Sequence, residues 1–352
     1  MFDPDFDGQK LMFHPDRVAQ WLAEGKTSGP LYTELEISNR CNCRCLFCGV
    51  DHLVNGTGTI MAPDLAALVF DGLAELGNRS VMICGNGEPL LNPDVVEIVR
   101  MAAARMSVSM TTNGVALSPE KLSLIDELEW IRFSINGCDP ENYALVHGTG
   151  KEVFTRVLAN VESAVARKKR LNLAVTIGTQ LVLLPENESG AVELARRLKA
   201  IGVDYFSIKP YSQHPLSRNR RQIDYRGLLD LEERLRPLEE DGFSIIFRAA
   251  AMQRAGTAKS YRSCRGIHFI SFITADGAVW ECNVFAGDDR FAVGKVGEQT
   301  LPEIWCGPVR QRVVDFIEHD FDLGQCRDLC RMEACNRYLW RLENPRPHDN
   351  FI

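Results

Sequence analysis

Twelve cysteines stand in a chain of 352 residues, and their spacing is the first chemical signal. Cys41, Cys45 and Cys48 fall within SNRCNCRCLFCG in the spacing CxxxCxxC. Three soft thiolates so close together suit an iron–sulfur cluster. Cys43 supplies a fourth sulfur in the same run, so a zinc knuckle is the alternative, although structural zinc usually joins two separated ligand pairs. A second set, Cys264, Cys282, Cys306, Cys326, Cys330 and Cys335, occupies the last quarter of the chain. It offers a second metal site, with zinc again the alternative to a cluster.

Other segments carry groups able to hold a ligand. CGNGEPLLNPD contains Gly85, Gly87 and Glu88. Glycine lets backbone approach a ligand closely, and a carboxylate accepts hydrogen bonds from an ammonium group. TTNG contributes Thr112 and Asn113, and the run WIRFSIN contributes Ser134 and Asn136. Taken singly, each reads equally well as a turn signal or a core hydroxyl. Cys138 is either a small buried hydrophobe or a chemically active thiol. His147, Gln180, Lys209, Tyr211, His214 and Arg248 suit solvent or structural bonds as well as a polar substrate. The basic runs at 166–170 and 218–221 lack interleaved aromatics and read as solvated faces.

These groups need elements to position them. β-rich runs at 32–38, 79–85, 107–112, 130–136, within 171–183 and at 204–211 alternate with amphipathic helical patterns at 62–76, 93–105, 118–128, 152–170 and 189–201. Such units connect right-handedly, so the expected fold is α/β, a partial (β/α)6 TIM-like barrel with its chemistry at the strand C-termini. Each candidate segment follows one of these strands. Beyond residue 210 the rhythm changes to an Arg-rich passage at 214–221, one helix over 225–239, and a hairpin over 268–283 turning at Ala275-Asp276-Gly277-Ala278. The expected organisation is an N-terminal extension at 1–30, the barrel at 31–250 and a small cysteine-rich domain at 251–352.

Over residues 31–211 this combination resembles the radical S-adenosylmethionine (radical SAM) enzymes. The resemblance implies that Cys41, Cys45 and Cys48 bind a [4Fe-4S] cluster whose fourth iron receives the amino and carboxylate groups of S-adenosylmethionine. Phe47 matches the aromatic position before the last cysteine. Gly85, Gly87 and Glu88 would lie near the methionine end of the cofactor, Thr112 and Asn113 at the same mouth, and Ser134 and Asn136 at its ribose or carboxylate. The C-terminal set resembles the SPASM and twitch extensions of that superfamily. It implies one auxiliary [4Fe-4S] cluster on Cys264 and Cys282, which flank the hairpin glycine Gly277, and on two of Cys326, Cys330 and Cys335. The implied activity is reductive cleavage of S-adenosylmethionine to methionine and a 5′-deoxyadenosyl radical, which abstracts hydrogen from the substrate. Flavodoxin or ferredoxin is the implied electron donor. An auxiliary cluster would favour net oxidation, whereas Cys138 as a hydrogen donor would favour epimerisation.

Forty basic against 47 acidic residues give a net charge of −7, so composition carries no general attraction to nucleic acid or anionic lipid. The 45% hydrophobic and 25% charged content is that of a globular enzyme. The acidic N-terminus is no secretory signal, and the longest apolar stretch, near 173–184, falls short of the roughly 20 residues of a membrane helix. A cytoplasmic protein with no membrane partner is expected. For the substrate, a small polar molecule such as a sugar or aminocyclitol, dehydrogenated or epimerised, is favoured, because the segment before the barrel is short for a leader-peptide-binding module. The alternative is a peptide- or protein-modifying maturase. A metal-stabilised RNA-binding scaffold is the non-enzymatic alternative and would need a basic, aromatic-rich face that the sequence does not show.

Overall fold

Polar and apolar residues alternate along successive strands, and that alternation sets the architecture. The computed structural model describes residues 10–351, so the acidic first nine residues lie outside it. Seven parallel strands lie side by side in chain order: β1 (Tyr32–Glu36), β2 (Ser80–Cys84), β3 (Ser107–Thr112), β4 (Trp130–Ser134), β5 (Thr176–Leu183), β6 (Tyr205–Pro210) and β7 (Ser244–Phe247). Leu35, Val81, Met110, Phe133, Leu181 and Ile208 point outward into the main hydrophobic core. The residues between them, such as Ser80, Thr111, Arg132, Gln180 and Lys209, line an internal cavity. Parallel strands covered on both faces usually read as unbroken apolar runs. Here one face borders a cavity, and the sequence alternates accordingly.

The covering helices are α1 (Pro15–Glu24), α2 (Pro63–Glu75), α3 (Val95–Ala103), α4 (Pro140–His147), α5 (Glu152–Leu171) and α6 (Ala191–Ile201), followed after β6 by α7 (Asp230–Leu235) and α8 (Ala249–Arg254). Two expected helices are different. The segment at 118–128 forms a tight 3-10 turn, Leu122–Glu127, that buries Leu124 and Ile125. The single helix over 225–239 is broken into a 3-10 turn, α7 and a second 3-10 turn, Arg236–Leu238, in which Pro237 lacks the N–H that a continuing helix needs. Helix α4, not anticipated, is capped by Asp139, whose carboxylate accepts from the Asn142 amide at 2.8 Å.

The C-terminal part does not form a separate sheet. β8 (Ile270–Ile273) pairs in parallel with β1, placing Tyr32 opposite Ile270, and β9 (Ala278–Trp280) and β10 (Ala292–Lys295) continue antiparallel. The expected hairpin therefore extends the barrel sheet, which stays open between β7 and β10. Helices α9 (Leu301–Cys306), α10 (Pro308–Asp315) and α11 (Glu333–Glu343) complete this part. Arg310 of α10 is 6% exposed and Glu281, at the end of β9, is 2% exposed; they pair at 2.7 Å, with the guanidinium 3.5 Å from the Trp305 ring. Among the described residues no helix is long and apolar enough to cross a membrane.

Candidate active site

The loop after β1 carries Cys41, Cys43, Cys45 and Cys48, and all four line the barrel cavity. Its backbone is held at both ends. The Cys41 amide donates to Asn55 Oδ1 at 2.8 Å, and the Arg44 and Leu46 amides donate to the His147 and Val146 carbonyls at 2.8 and 3.0 Å. Phe47 stands edge-on to His147, with ring centroids 5.9 Å apart. Burial pushes the Cys48 thiol up to about 11. A buried thiolate is costly unless a metal takes the place of its proton, so this donor set fits a thiolate-bound cluster.

A hydrogen-bond network joins that loop to the next strand ends. Glu88 is 2% exposed; its carboxylate accepts from Thr112 Oγ1 at 2.5 Å, the Asn113 amide at 2.7 Å and the Leu90 amide at 2.9 Å. Burial nevertheless raises its pKa. Glu88 thus fastens the loop after β2 to the loop after β3. Asn113 then donates to Asn42 Oδ1 at 2.7 Å and to Cys43 Sγ at 3.5 Å, reaching the cysteine loop. The glycines permit this closeness: a Cβ on Gly87 would lie 2.2 Å from the Ser38 carbonyl oxygen, and one on Gly85, at φ 128°, would lie 2.6 Å from Glu36 Cβ. Gly85, Gly87, Glu88, Thr112, Asn113 and Ser134 all border the cavity.

Two of the expected site residues are engaged within the protein. Asn136 borders the cavity, but its side chain is committed to the protein: Oδ1 accepts from the Val182 amide at 2.7 Å, and Nδ2 lies 3.3 Å from His147 Nε2. It staples β4 to β5. Cys138 is 3% exposed, belongs to the hydrophobic core and donates from Sγ to the Asn187 carbonyl at 3.2 Å. Burial pushes it up to about 12, and it does not line the cavity. It packs the core, away from the cavity lining.

In the C-terminal part, Cys264, Cys282, Cys326 and Cys330 line a mostly apolar cavity of about 30 Å³ together with Tyr261 and Met332. Asn336 Nδ2 donates to Cys264 Sγ at 3.3 Å, and burial pushes that thiol up to about 12. These four could hold an auxiliary cluster. Cys335 borders the larger cavity, as Cys330 also does, but not the small one, and Cys306 is exposed on α9. The two cysteine loops meet at Arg327, whose guanidinium packs against Gly49 and donates to Ser212 Oγ at 2.7 Å. Both loops therefore open into one space.

That space measures about 1300 Å³ and runs the length of the barrel, from the cysteine loop to Leu31, Arg79 and Ser107 at the opposite strand ends. Sequence reasoning singles out Lys209 and Gln180 in its wall but misses Arg132, Trp130 and Cys84. The signal is present, since each falls on the polar phase of its strand.

Comparison with known proteins agrees with this construction. Residues 35–198 match the model of the Radical SAM superfamily, and residues 241–336 match that of the SPASM iron-sulfur cluster-binding domain. The chain is 26% identical over 333 residues to the tungsten-containing aldehyde ferredoxin oxidoreductase cofactor-modifying protein of Pyrococcus furiosus, covering 87% of this chain and 88% of that protein. It is 27% identical over 288 residues to the PqqA peptide cyclase of Ruegeria pomeroyi, covering 78% and 74%. The AdoMet-dependent heme synthase of Methanosarcina barkeri is 25% identical over 298 residues, covering 79% and 83%. Among solved structures, Streptococcus suis SuiB bound to the precursor peptide SuiA shares the fold, with a TM-score of 0.68 at 16% identity over 96% of this chain and 78% of that one.

Proposed function

The chain belongs to the radical SAM superfamily and carries a SPASM domain, and on that premise we propose that it oxidatively modifies a peptide or protein substrate within the barrel cavity. The observation that carries this reading is the cavity running from one end of the strands to the other. Its volume exceeds the roughly 300–1,000 Å³ of an ordinary small-molecule site, leaving room for an extended chain beside a cofactor. The similarity to a peptide cyclase over most of both chains supports the same reading. A sugar or aminocyclitol, favoured on sequence alone, has no such support among these relatives.

An iron–sulfur cluster with S-adenosylmethionine supplies a hydrogen-abstracting radical, and an auxiliary cluster supplies an electron acceptor. Cys41, Cys45 and Cys48 would hold the first, and Cys264, Cys282, Cys326 and Cys330 the second. The Glu88–Thr112–Asn113 network fixes the three loops around the cofactor position, so the reacting groups meet a preformed wall. The packed outer core keeps water from entering between strands. Net oxidation removes two hydrogens from the substrate, one as an atom and one as a proton with its electron passed on.

The test compares peptide fractions of the native host with and without the gene by mass spectrometry. A peptide lighter by two hydrogens, present only when the gene is intact, is the expected result. A mass change confined to small metabolites would overturn the reading.

A further inference from the structure

The cavity wall is cationic although the chain is acidic: nine Lys or Arg line it against three Asp or Glu, in a protein with net charge −7. Several of these cations are matched internally. Arg331 pairs with Glu34, and Arg254 with Glu333 at 3.4 Å. Lys209, on the inner face at the end of β6, is not matched: among the described residues its ammonium has no hydrogen bond and no ion pair. Arg132, Arg327, Arg331 and Arg248 are near enough to act on its charge, and all four share the cavity wall with it. Arg132, on the inner face of β4, donates to Thr111 Oγ1 at 3.3 Å and lies 5.2 Å from the Trp130 ring, while its buried Nε has no partner. Glu34, an acid on β1, is already held by Arg331 and Asn283.

Burial, together with the nearby guanidinium groups, pushes the Lys209 pKa well down in the free protein, and an incoming anion favours its charged form. Arg132 lies two residues before Ser134 along β4, deeper in the barrel than the loops that surround the cofactor position. We propose that Lys209 and Arg132 form a carboxylate-binding site that receives an acidic residue of the substrate peptide. This rests on the peptide reading above. It names Lys209 and Arg132 as specificity-determining residues, and it makes the substrate segment anionic.

The test uses the full-length reconstituted protein with S-adenosylmethionine present, held anaerobically, and fluorescein-labelled hexaglutamate and hexaglutamine as probes in an anisotropy titration. Hexaglutamate should bind in a salt-sensitive manner and hexaglutamine should not. Lys209→Met and Arg132→Met should each weaken hexaglutamate binding at least about tenfold, and Lys209→Arg should restore it. Affinity for S-adenosylmethionine, measured on the same variants, should stay within about twofold, which also shows that they fold. Unchanged hexaglutamate binding in Lys209→Met would overturn the proposal. So would an equal loss of S-adenosylmethionine affinity, which would assign the cations to the cofactor's carboxylate. Lys209-dependent binding of glucose 6-phosphate without binding of hexaglutamate would uphold an anion site and overturn the peptide reading.

Discussion

His147 Nδ1 lies 3.4 Å from Cys45 Sγ, while His147 Nε2 accepts from the Asn136 backbone amide at 3.0 Å. An accepting Nε2 leaves the ring proton on Nδ1, directed at the sulfur. The imidazole is neutral, because burial lowers its pKa to about 3. Tyr143 stacks on it at 4.1 Å and fixes the ring plane. The contact is a hydrogen bond to a sulfur of the cysteine loop, placed by β4 and α4.

His147→Phe keeps an aromatic ring beside Tyr143 and removes the donor. Iron content should be retained, while the midpoint potential of the cluster at this loop should fall by on the order of tens of millivolts, since hydrogen bonds to sulfur stabilise the reduced state. Redox titration followed by electron paramagnetic resonance measures it. An unchanged potential would remove His147 from this role.

The cysteine placement predicts metal content. Anaerobically reconstituted protein should carry about eight irons, and Cys282→Ser about four. Cys335→Ala should stay near the parent value, because Cys335 is not among the residues lining the small cavity shared by the other four. Iron and sulfide analysis decides this, and loss of about four irons in Cys335→Ala would reassign the ligand set.

Much of the barrel mouth is legible in the amino-acid sequence. The CxxxCxxC spacing and the strand positions before Gly85, Thr112 and Ser134 place it correctly, because ligand spacing and period-2 alternation are local properties of the chain. β7 is not legible, because Ser244–Phe247 is only four residues long and its assignment depends on the edge that β6 offers. The internal bonding of Asn136 and Cys138 is not legible for a different reason. Both follow a strand at the mouth, yet Asn187 draws the chain after β4 inward through hydrogen bonds from Nδ2 to the Asn136 and Val182 carbonyls. The bond between Asn187 and Asn136 joins residues some fifty positions apart and leaves no local trace in sequence.

Cys138→Ala tests the packing role of this thiol. It should lower the melting temperature by about 2–4 °C, the effect of losing roughly 1 kcal/mol from a domain of this size. Formation of 5′-deoxyadenosine should be unchanged, and so should any incorporation of solvent deuterium into product. Deuterium incorporation that vanishes in Cys138→Ala would return the thiol to the chemistry.

Arg310 gives a stability prediction in the C-terminal part. Arg310→Ala leaves Glu281 buried without a counter-charge, and the expected cost is about 3–5 kcal/mol, read as a loss of thermal stability. The double variant Arg310→Met with Glu281→Leu should recover most of it. Equal instability of the single and double variants would show that the packing on Trp305, rather than the ion pair, holds α10 in place.

The central claim is that the loop after β1 holds the cluster that cleaves S-adenosylmethionine. The most direct measurement is chromatography of an anaerobic mixture of reconstituted protein, dithionite and S-adenosylmethionine. The account predicts 5′-deoxyadenosine and methionine from the parent protein and from Cys43→Ala, and none from the triple variant Cys41→Ala, Cys45→Ala, Cys48→Ala. Intact S-adenosylmethionine with the fully iron-loaded parent, or cleavage that survives in the triple variant, would contradict it.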